Sequence, residues 1–471
     1  MSVVRRIATN SLYQLFGKLI VLAVSLITVA LLARHLGVSA YGTYTIAMAY
    51  SQLYAIMGDL GIGIYLLKRL SASESADSAV QKLLGSAAES RVVTAIGGSL
   101  LAIGITYFLP YGSGQRHLIA VAIIAVVLQM VNSLFITVFQ ARLEMRYAAL
   151  GDIAARVITL SLVILALYEH QGVAAVIAAQ IVGNLANLGI TYWFAQRFIR
   201  PTYSFDPRQW QLIIRSSLLI GISSILSYIY FKTDTFLLSI LPILGHTNAV
   251  EVGLYGAAYK FVDVLIIVPG VFLGTIFPLF SNALASQEHD KARLLIDRSF
   301  QVMLTAGFIS CTGLYIFADF LIGFVAGGNF AAAAAPLRIL AFAIPLNFVG
   351  ATFSYALLAL ERQRSLAYLY GGAAVFNVLA NLISIPHYSY LAAATTTVMT
   401  ECIVTAGGAW LLHAYYPIRF RVLESGALVV LIGVIALVTY LIPAHLIYFR
   451  AAVFSLPLLT VAVVCYRRLL T

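Results

Sequence analysis

The chain has 471 residues, of which 61% are apolar and only 10% charged, too apolar for a soluble protein of this length. Apolar runs of about 20 residues recur from end to end, each long enough to cross a hydrocarbon core as a helix. The net charge of +11 reads as basic loops against an anionic leaflet and not as a nucleic-acid interface, and no P-loop sequence for ATP hydrolysis occurs.

The predicted spans are 12–34, 42–66, 91–110, 117–139, 153–168, 173–195, 217–243, 254–280, 300–318, 337–360, 366–385, 391–412, 424–442 and 450–466. The fold class is therefore all-α integral membrane, with about fourteen transmembrane helices. The first span is long, lacks a small-x-small cleavage site and runs straight into the second, so it reads as a retained helix and not a secretory leader. The larger connections, 67–90, 196–216 and 281–299, are too short for a soluble domain. An even number of spans puts both termini on one side. Lys and Arg concentrate there and on every second loop, while the opposite side carries only Arg34, Arg116, Arg338 and Arg450. That bias predicts cytoplasmic termini of a multi-pass protein in the cytoplasmic (inner) membrane.

The chain repeats itself weakly. Leu36-Gly37, Gly42-Thr43-Tyr44 and Ala47 near the second span are echoed by Leu244-Gly245, Gly253-Leu254-Tyr255 and Ala258 near the eighth. An offset of six spans is even and predicts a parallel repeat about an axis normal to the membrane. The predicted division is an N-lobe at 1–196, a cytoplasmic linker at 197–216, a C-lobe at 217–413 and two appended helices at 414–471. Residues 207–216 are expected to begin as a helix lying at the interface. Pro269-Gly270, Pro278 and Pro345 interrupt the eighth and tenth spans, as static kinks or as hinges. Cys311, Cys402 and Cys465 lie in apolar spans, with neither a disulfide framework nor metal-ligand spacing. Most histidines, among them His246 and His445, fall in or near outer loops and read as interfacial polar residues.

Lys18, Asp59, Lys232, Asp234, Lys260, Asp263 and Glu401 fall inside the spans. Charge in a bilayer is costly, so such groups pair or face water. Together they point to a transporter with a polar, partly cationic lumen. Lys232 and Asp234 are two apart, on nearly opposite faces of one helix, so each needs a partner elsewhere. Lys260 and Asp263 share a face, and either pair locally or leave Lys260 to a lumen anion. Lys18 reads as a partner of Asp59, a snorkelling cation or a substrate contact. Asp152 and Arg156, four apart, are expected to pair, and Arg146 is a further lumen candidate. Asn377 and Asn381 share a face of the eleventh span, and Thr397 lies on the twelfth. With Asp234 they form an oxygen set suited to a hard monovalent cation. The alternative is that they hydrogen-bond helices together. Glu401, deeper on the twelfth span, is a candidate proton carrier.

Leu32-Ala33-Arg34-His35-Leu36-Gly37, Ala40-Tyr41-Gly42-Thr43-Tyr44 and Gly58-Asp59-Leu60-Gly61 resemble the opening signature of the polysaccharide-export flippases. Their superfamily also holds lipid II flippases and multidrug and toxin extrusion antiporters. Lys232-Thr233-Asp234-Thr235-Phe236-Leu237-Leu238, Val252-Gly253-Leu254-Tyr255 and Ala258-Tyr259-Lys260 resemble the segment opening the family's second half. The resemblance implies two six-helix lobes around a central cavity. It also implies a polyprenyl-pyrophosphate-linked oligosaccharide as cargo, moved from the inner to the outer leaflet by alternating access. Lys18, Arg34, Lys232 and Lys260 are the candidate substrate-binding cations, compensating a pyrophosphate whose uncompensated burial is prohibitive. Lipid II flippases place a sodium site on the helices that here carry Asp234, Asn377, Asn381 and Thr397. Asp234 and Asn377 match its acid and amide, whereas Asn381 stands where an acid is expected. The expected coupling ion is sodium or a proton, with Glu401 added to the coupling set. No cofactor and no enzymatic chemistry are expected. The expected partners are the lipid-linked oligosaccharide, membrane lipids and polysaccharide polymerase machinery. The alternatives are a drug or cation antiporter of the same superfamily, or a membrane polysaccharide polymerase or ligase.

Overall fold

A computed structural model describes residues 3–59, 61–71, 78–243, 247–417, 422–443, 446–447 and 449–455. Most of the predicted span 450–466 lies outside the described residues. So do Leu60, the second repeat's Leu244 and Gly245, and also His246, Arg419, Arg421, His445, Cys465, Arg467 and Arg468. The side chains of Arg5, Arg6, Asp59 and Lys68 are likewise outside them.

The described residues form helices α1 (Val3–Asp59), α2 (Ile62–Ser71), α3 (Ser78–Ile105), α4 (Ser113–Arg142), α5 (Met145–Tyr168), α6 (Val173–Ala195) and α7 (Pro207–Ile240). They continue with α8 (Asn248–Leu265), α9 (Ile267–Ala285), α10 (His289–Ala326), α11 (Ala334–Ala341), α12 (Ala343–Ala359), α13 (Gln363–Tyr415) and α14 (Val422–Leu441). No strand occurs among them. The protein is an all-helical, multi-pass membrane protein. Nine helical stretches among the described residues are long and apolar enough to cross a bilayer, and two of them, in α1 and α13, hold two predicted spans joined through a bend.

The bends have identifiable causes. α1 turns at Gly37 (φ 75°, ψ 173°), where the left-handed region is open to a residue without Cβ. This turn separates the first two predicted spans. α1 stops at Asp59, and Gly61, just before α2, has φ 73°. α8 gives way to α9 at Ile266, three residues before Pro269, and α11 to α12 at Phe342, three residues before Pro345. A proline ring displaces the preceding turn and supplies no N–H to it. α13 bends at Ser389 (φ 51°), inside the predicted connection 386–390.

By packing, the chain separates into two compact units. One comprises Met1–Ile240 with Thr247–Gly253, the other Leu241–His246 with Leu254–Thr471. α7 thus packs with the first unit, and α8 begins in the first and continues in the second. The first unit's main core gathers Ile62, Leu66, Leu84, Phe135, Phe139 and Ile199. In the second unit, Phe280, Ile296, Phe353, Leu357 and Leu412 do the same.

Two features of the first unit were not visible as such in the sequence. Gly42 and Gly253, the paired glycines of the repeat, lie against each other. A Cβ on Gly42 would sit 1.6 Å from the Ala249 carbonyl oxygen, and one on Gly253 would sit 2.4 Å from that of Val38. The second feature is a clasp. The 67–90 connection is largely helical, since α3 starts at Ser78, and Glu89 on α3 is buried. Its carboxylate accepts hydrogen bonds from the Ser204 N–H (2.7 Å), the Phe205 N–H (3.1 Å) and the Trp210 indole (2.9 Å). Gln81 accepts from the Thr202 N–H at 3.0 Å, and Ser86 donates to Gln209 at 2.8 Å. The linker is therefore tied to α3, with an anion at the N-terminus of α7 where the helix dipole favours one. α7 starts at Pro207, a residue suited to a first helical turn, and runs unbroken to Ile240. Residues 207–216 are thus the first turns of a continuous helix.

Candidate functional site

Lys18, Arg34, Lys232 and Asp234 belong to the first unit, and Lys260, Asn377, Asn381, Thr397 and Glu401 to the second. Each group has its own polar neighbourhood.

In the first unit α5 and α6 approach at Gly151, where a Cβ would lie 2.5 Å from Asn187 Oδ1. Small residues permit such approaches in membrane helices, and polar side chains then bridge them. Asn187 donates to Asp152 at 2.9 Å, and Thr191 donates to Asn132. Lys18 and Arg156 both act electrostatically on Asp152. Asp152 therefore takes its hydrogen bond from α6 and not from Arg156 on its own helix. Lys18 is exposed and finds its carboxylate neighbour on α5. Next to it, Gly17 packs so closely on Ala149 that a Cβ would lie 2.6 Å from the alanine's own. Arg34 is exposed, three residues before the Gly37 bend. Arg146 is engaged locally, 2.8 Å from Glu144 and over the Tyr147 ring.

On α7, Asp234 is buried at 3% exposure and Lys232 is half-buried, as two residues on opposing faces should differ. Ser239, five residues beyond Asp234, shares a hydrogen bond with the Tyr111 hydroxyl at 2.7 Å. That contact fixes the C-terminal end of α7 against the α3–α4 turn.

In the second unit Asn381 donates to Asn377 at 3.1 Å, and Asn377 donates to Thr400 at 3.3 Å. The expected shared face of the two asparagines is thus a direct contact. Thr397 shares a hydrogen bond with Tyr255 at 3.2 Å and donates to the Ala393 carbonyl at 2.9 Å. Glu401 is buried and accepts from the Asn347 amide at 3.3 Å. Lys260 and Asp263 meet at 3.4 Å, both partly exposed, so the local pair is formed but loose. Among the described residues, no group of three or more His, Cys, Asp or Glu is arranged to hold a metal ion.

The residues that sequence reasoning missed are Asn132, Asn187, Thr191 and Glu89. A signal for the α6 members existed. Gln180, Asn184, Asn187 and Thr191 are spaced four, three and four apart, one polar stripe along an apolar helix. Asn184 donates to the Ala125 carbonyl at 2.8 Å, and Gln180 to the Tyr44 hydroxyl.

The family described as Polysaccharide biosynthesis protein matches residues 7–284, more than half of the chain. The chain belongs to that family. A relative from Haloferax volcanii, described as a probable low-salt glycan biosynthesis flippase, Agl15, is 22% identical over 396 residues, 84% of this chain and 81% of its own. Among solved structures, the lipid II flippase MurJ in an inward closed conformation is similar at TM-score 0.79, covering 98% of this chain and 100% of that one at 13% identity. A transporter of the MOP superfamily from Pyrococcus furiosus is similar at TM-score 0.59, with 87% and 96% covered at 12% identity. The Vibrio cholerae transporter VcmN reaches TM-score 0.60, with 88% and 98% covered at 13% identity. At such identities the structural likeness establishes a shared helical transporter fold. Each of these proteins is described as a flippase or a transporter, and none as a catalyst.

Proposed function

We propose that this family member flips a polyprenyl-pyrophosphate-linked oligosaccharide from the inner to the outer leaflet of the cytoplasmic membrane, with both termini cytoplasmic. The observation that carries the reading is a family match to polysaccharide biosynthesis in a chain whose spans contain lysines. A pyrophosphate head group loses its hydration on entering the bilayer, and cationic side chains on its path replace that hydration. Lys18, Arg34, Lys232 and Lys260 serve this purpose. The description of the Haloferax volcanii relative as a glycan flippase supports the cargo class. The positive-inside bias supports the orientation.

The same reading assigns ion coupling to Asp234, Asn377, Asn381, Thr397 and Glu401. A hard monovalent cation suits amide, hydroxyl and carboxylate oxygens, and the Asn381–Asn377–Thr400 chain keeps such oxygens in register. The test is flipping of a fluorescent polyprenyl-diphosphate disaccharide in proteoliposomes, with sodium and proton gradients imposed separately. Flipping that accelerates under one gradient supports the proposal. An unchanged leaflet distribution of the probe removes the flippase reading, and flipping indifferent to both gradients removes the coupling.

A further inference from the structure

The first unit contains a cavity of about 510 Å³ between the second half of α1, the outer half of α3 and α7. Its volume lies within the range of roughly 300–1,000 Å³ typical of small-molecule sites. Tyr50, Tyr54, Gly97, Leu101, Ile105 and Phe236 are among its walls. The polar atoms at those walls are satisfied within the protein. The Tyr50 hydroxyl donates to the Ala102 carbonyl at 2.6 Å and the Tyr54 hydroxyl to that of Ala95 at 2.5 Å. Thr94 donates to the Arg91 carbonyl at 3.1 Å. What the cavity presents is carbon, and a water molecule needs two to four polar partners to remain in such a space. Ile96, Leu100, Leu101 and Ile105 of α3 are exposed beside it, so its surroundings in a membrane are hydrocarbon.

Two adjacent glycines on α3 do different work. A Cβ on Gly98 would lie 2.7 Å from the Tyr54 ring, so this glycine is a packing contact. A Cβ on Gly97 would meet nothing within 4 Å. Glycine in a membrane helix ordinarily admits a neighbouring helix, yet Gly97 opens onto the cavity, and any side chain there would shrink it. On α7, Lys232 lies four residues before Phe236, on the same face and one turn away. A half-buried cation next to a dry, carbon-lined space matches an amphiphile with an anionic head and a hydrocarbon tail.

We infer that this cavity binds the polyisoprenoid tail of an anionic carrier lipid while Lys232 meets the head group. The choice of an isoprenoid over a phospholipid acyl chain rests on the proposed function. The test uses the full-length protein in phosphatidylethanolamine–phosphatidylglycerol vesicles with a diazirine-bearing polyprenyl diphosphate. A diazirine-acyl phosphatidylglycerol is run in parallel, and the cross-linked peptides are mapped. The isoprenoid probe should label residues 50–54 and 94–105, competed by unlabelled polyprenyl diphosphate. Gly97→Leu should lower that labelling at least tenfold, and Gly97→Ala by a smaller factor. Gly104→Leu, also in open space on α3 but outside the cavity wall, should leave it unchanged. Equal labelling by the acyl probe, or labelling elsewhere only, overturns the inference. Flipping by the wild type without labelling at 94–105 removes the site and leaves the function. Labelling there without flipping keeps the site and removes the function.

Discussion

In the first unit the in-span carboxylate of Asp152 has two cations within electrostatic reach, Lys18 and Arg156, and one amide donor, Asn187. In the second unit the polar cluster on α13 is largely uncharged, although Asp297, Glu401 and Arg450 are also buried in that unit. Asn381, Asn377 and Thr400 form a chain of amides and a hydroxyl, and Glu401 faces the amide of Asn347. A carboxylate balanced by cations leaves an uncompensated charge when either side is removed. An amide chain that loses a member loses a hydrogen bond or two, each worth about 1 kcal/mol. The first unit is thus built for fixed electrostatics, and the second has polar partners that can be exchanged cheaply.

The most severe way to break this comparison is to break the first unit's frame. Gly42→Ala places a carbon 1.6 Å from the Ala249 carbonyl oxygen, where backbone and not a flexible side chain must yield. We expect a cost of about 3 kcal/mol or more, read as loss of folded protein from the membrane. Near-normal levels with an unchanged melting temperature would show that α1 and α8 do not need this approach.

Next comes the clasp. Glu89→Ala strips acceptors from the Ser204 and Phe205 N–H groups and the Trp210 indole at a buried position. A loss of about 2–3 kcal/mol follows from leaving such donors unsatisfied. A lower melting temperature in detergent and faster proteolysis within 197–210 should report it, with Glu89→Gln intermediate. Proteolysis at the wild-type rate would argue that the linker is held by other contacts.

Asp152→Ala set against Glu401→Gln tests the contrast directly. The first should destabilise by about 1–3 kcal/mol by orphaning Asn187 and leaving Lys18 and Arg156 unbalanced. The second keeps a polar group of the same shape and should cost under about 1 kcal/mol while slowing gradient-driven transport. Thermal melts and vesicle flux separate the two effects. Equal destabilisation by both would erase the distinction between the units.

The smallest expected stability effect is at Lys260. Its pair with Asp263 is long and partly exposed, so Lys260→Ala should change stability by less than about 1 kcal/mol. Flipping should nonetheless fall severalfold, with Lys260→Arg recovering part of it. A variant that flips normally would mark Lys260 as a structural partner of Asp263 alone.

Much of the architecture was legible in the chain because its cause is local. A run of about twenty apolar residues must become a helix to satisfy its own backbone in lipid. Gly37, Pro269 and Pro345 bend helices wherever those helices pack. The same-face arguments held for Asn377 with Asn381 and for Lys260 with Asp263, since helical spacing is also local. The hold on the linker that precedes α7 was not legible, for a tertiary reason. Glu89, more than a hundred residues earlier, ties the linker to α3 and lets α7 start at Pro207 and run on.

The sequence by itself determined an all-helical membrane protein, its spans, its breaks and the presence of costly charges within the bilayer. Only the tertiary structure decided which groups meet those charges. Asp152 finds Asn187, and Gly42 finds Gly253, across separations that no helical period encodes. Where two helices cross is set by side-chain volumes along both, so partners between helices appear only once the whole unit is packed.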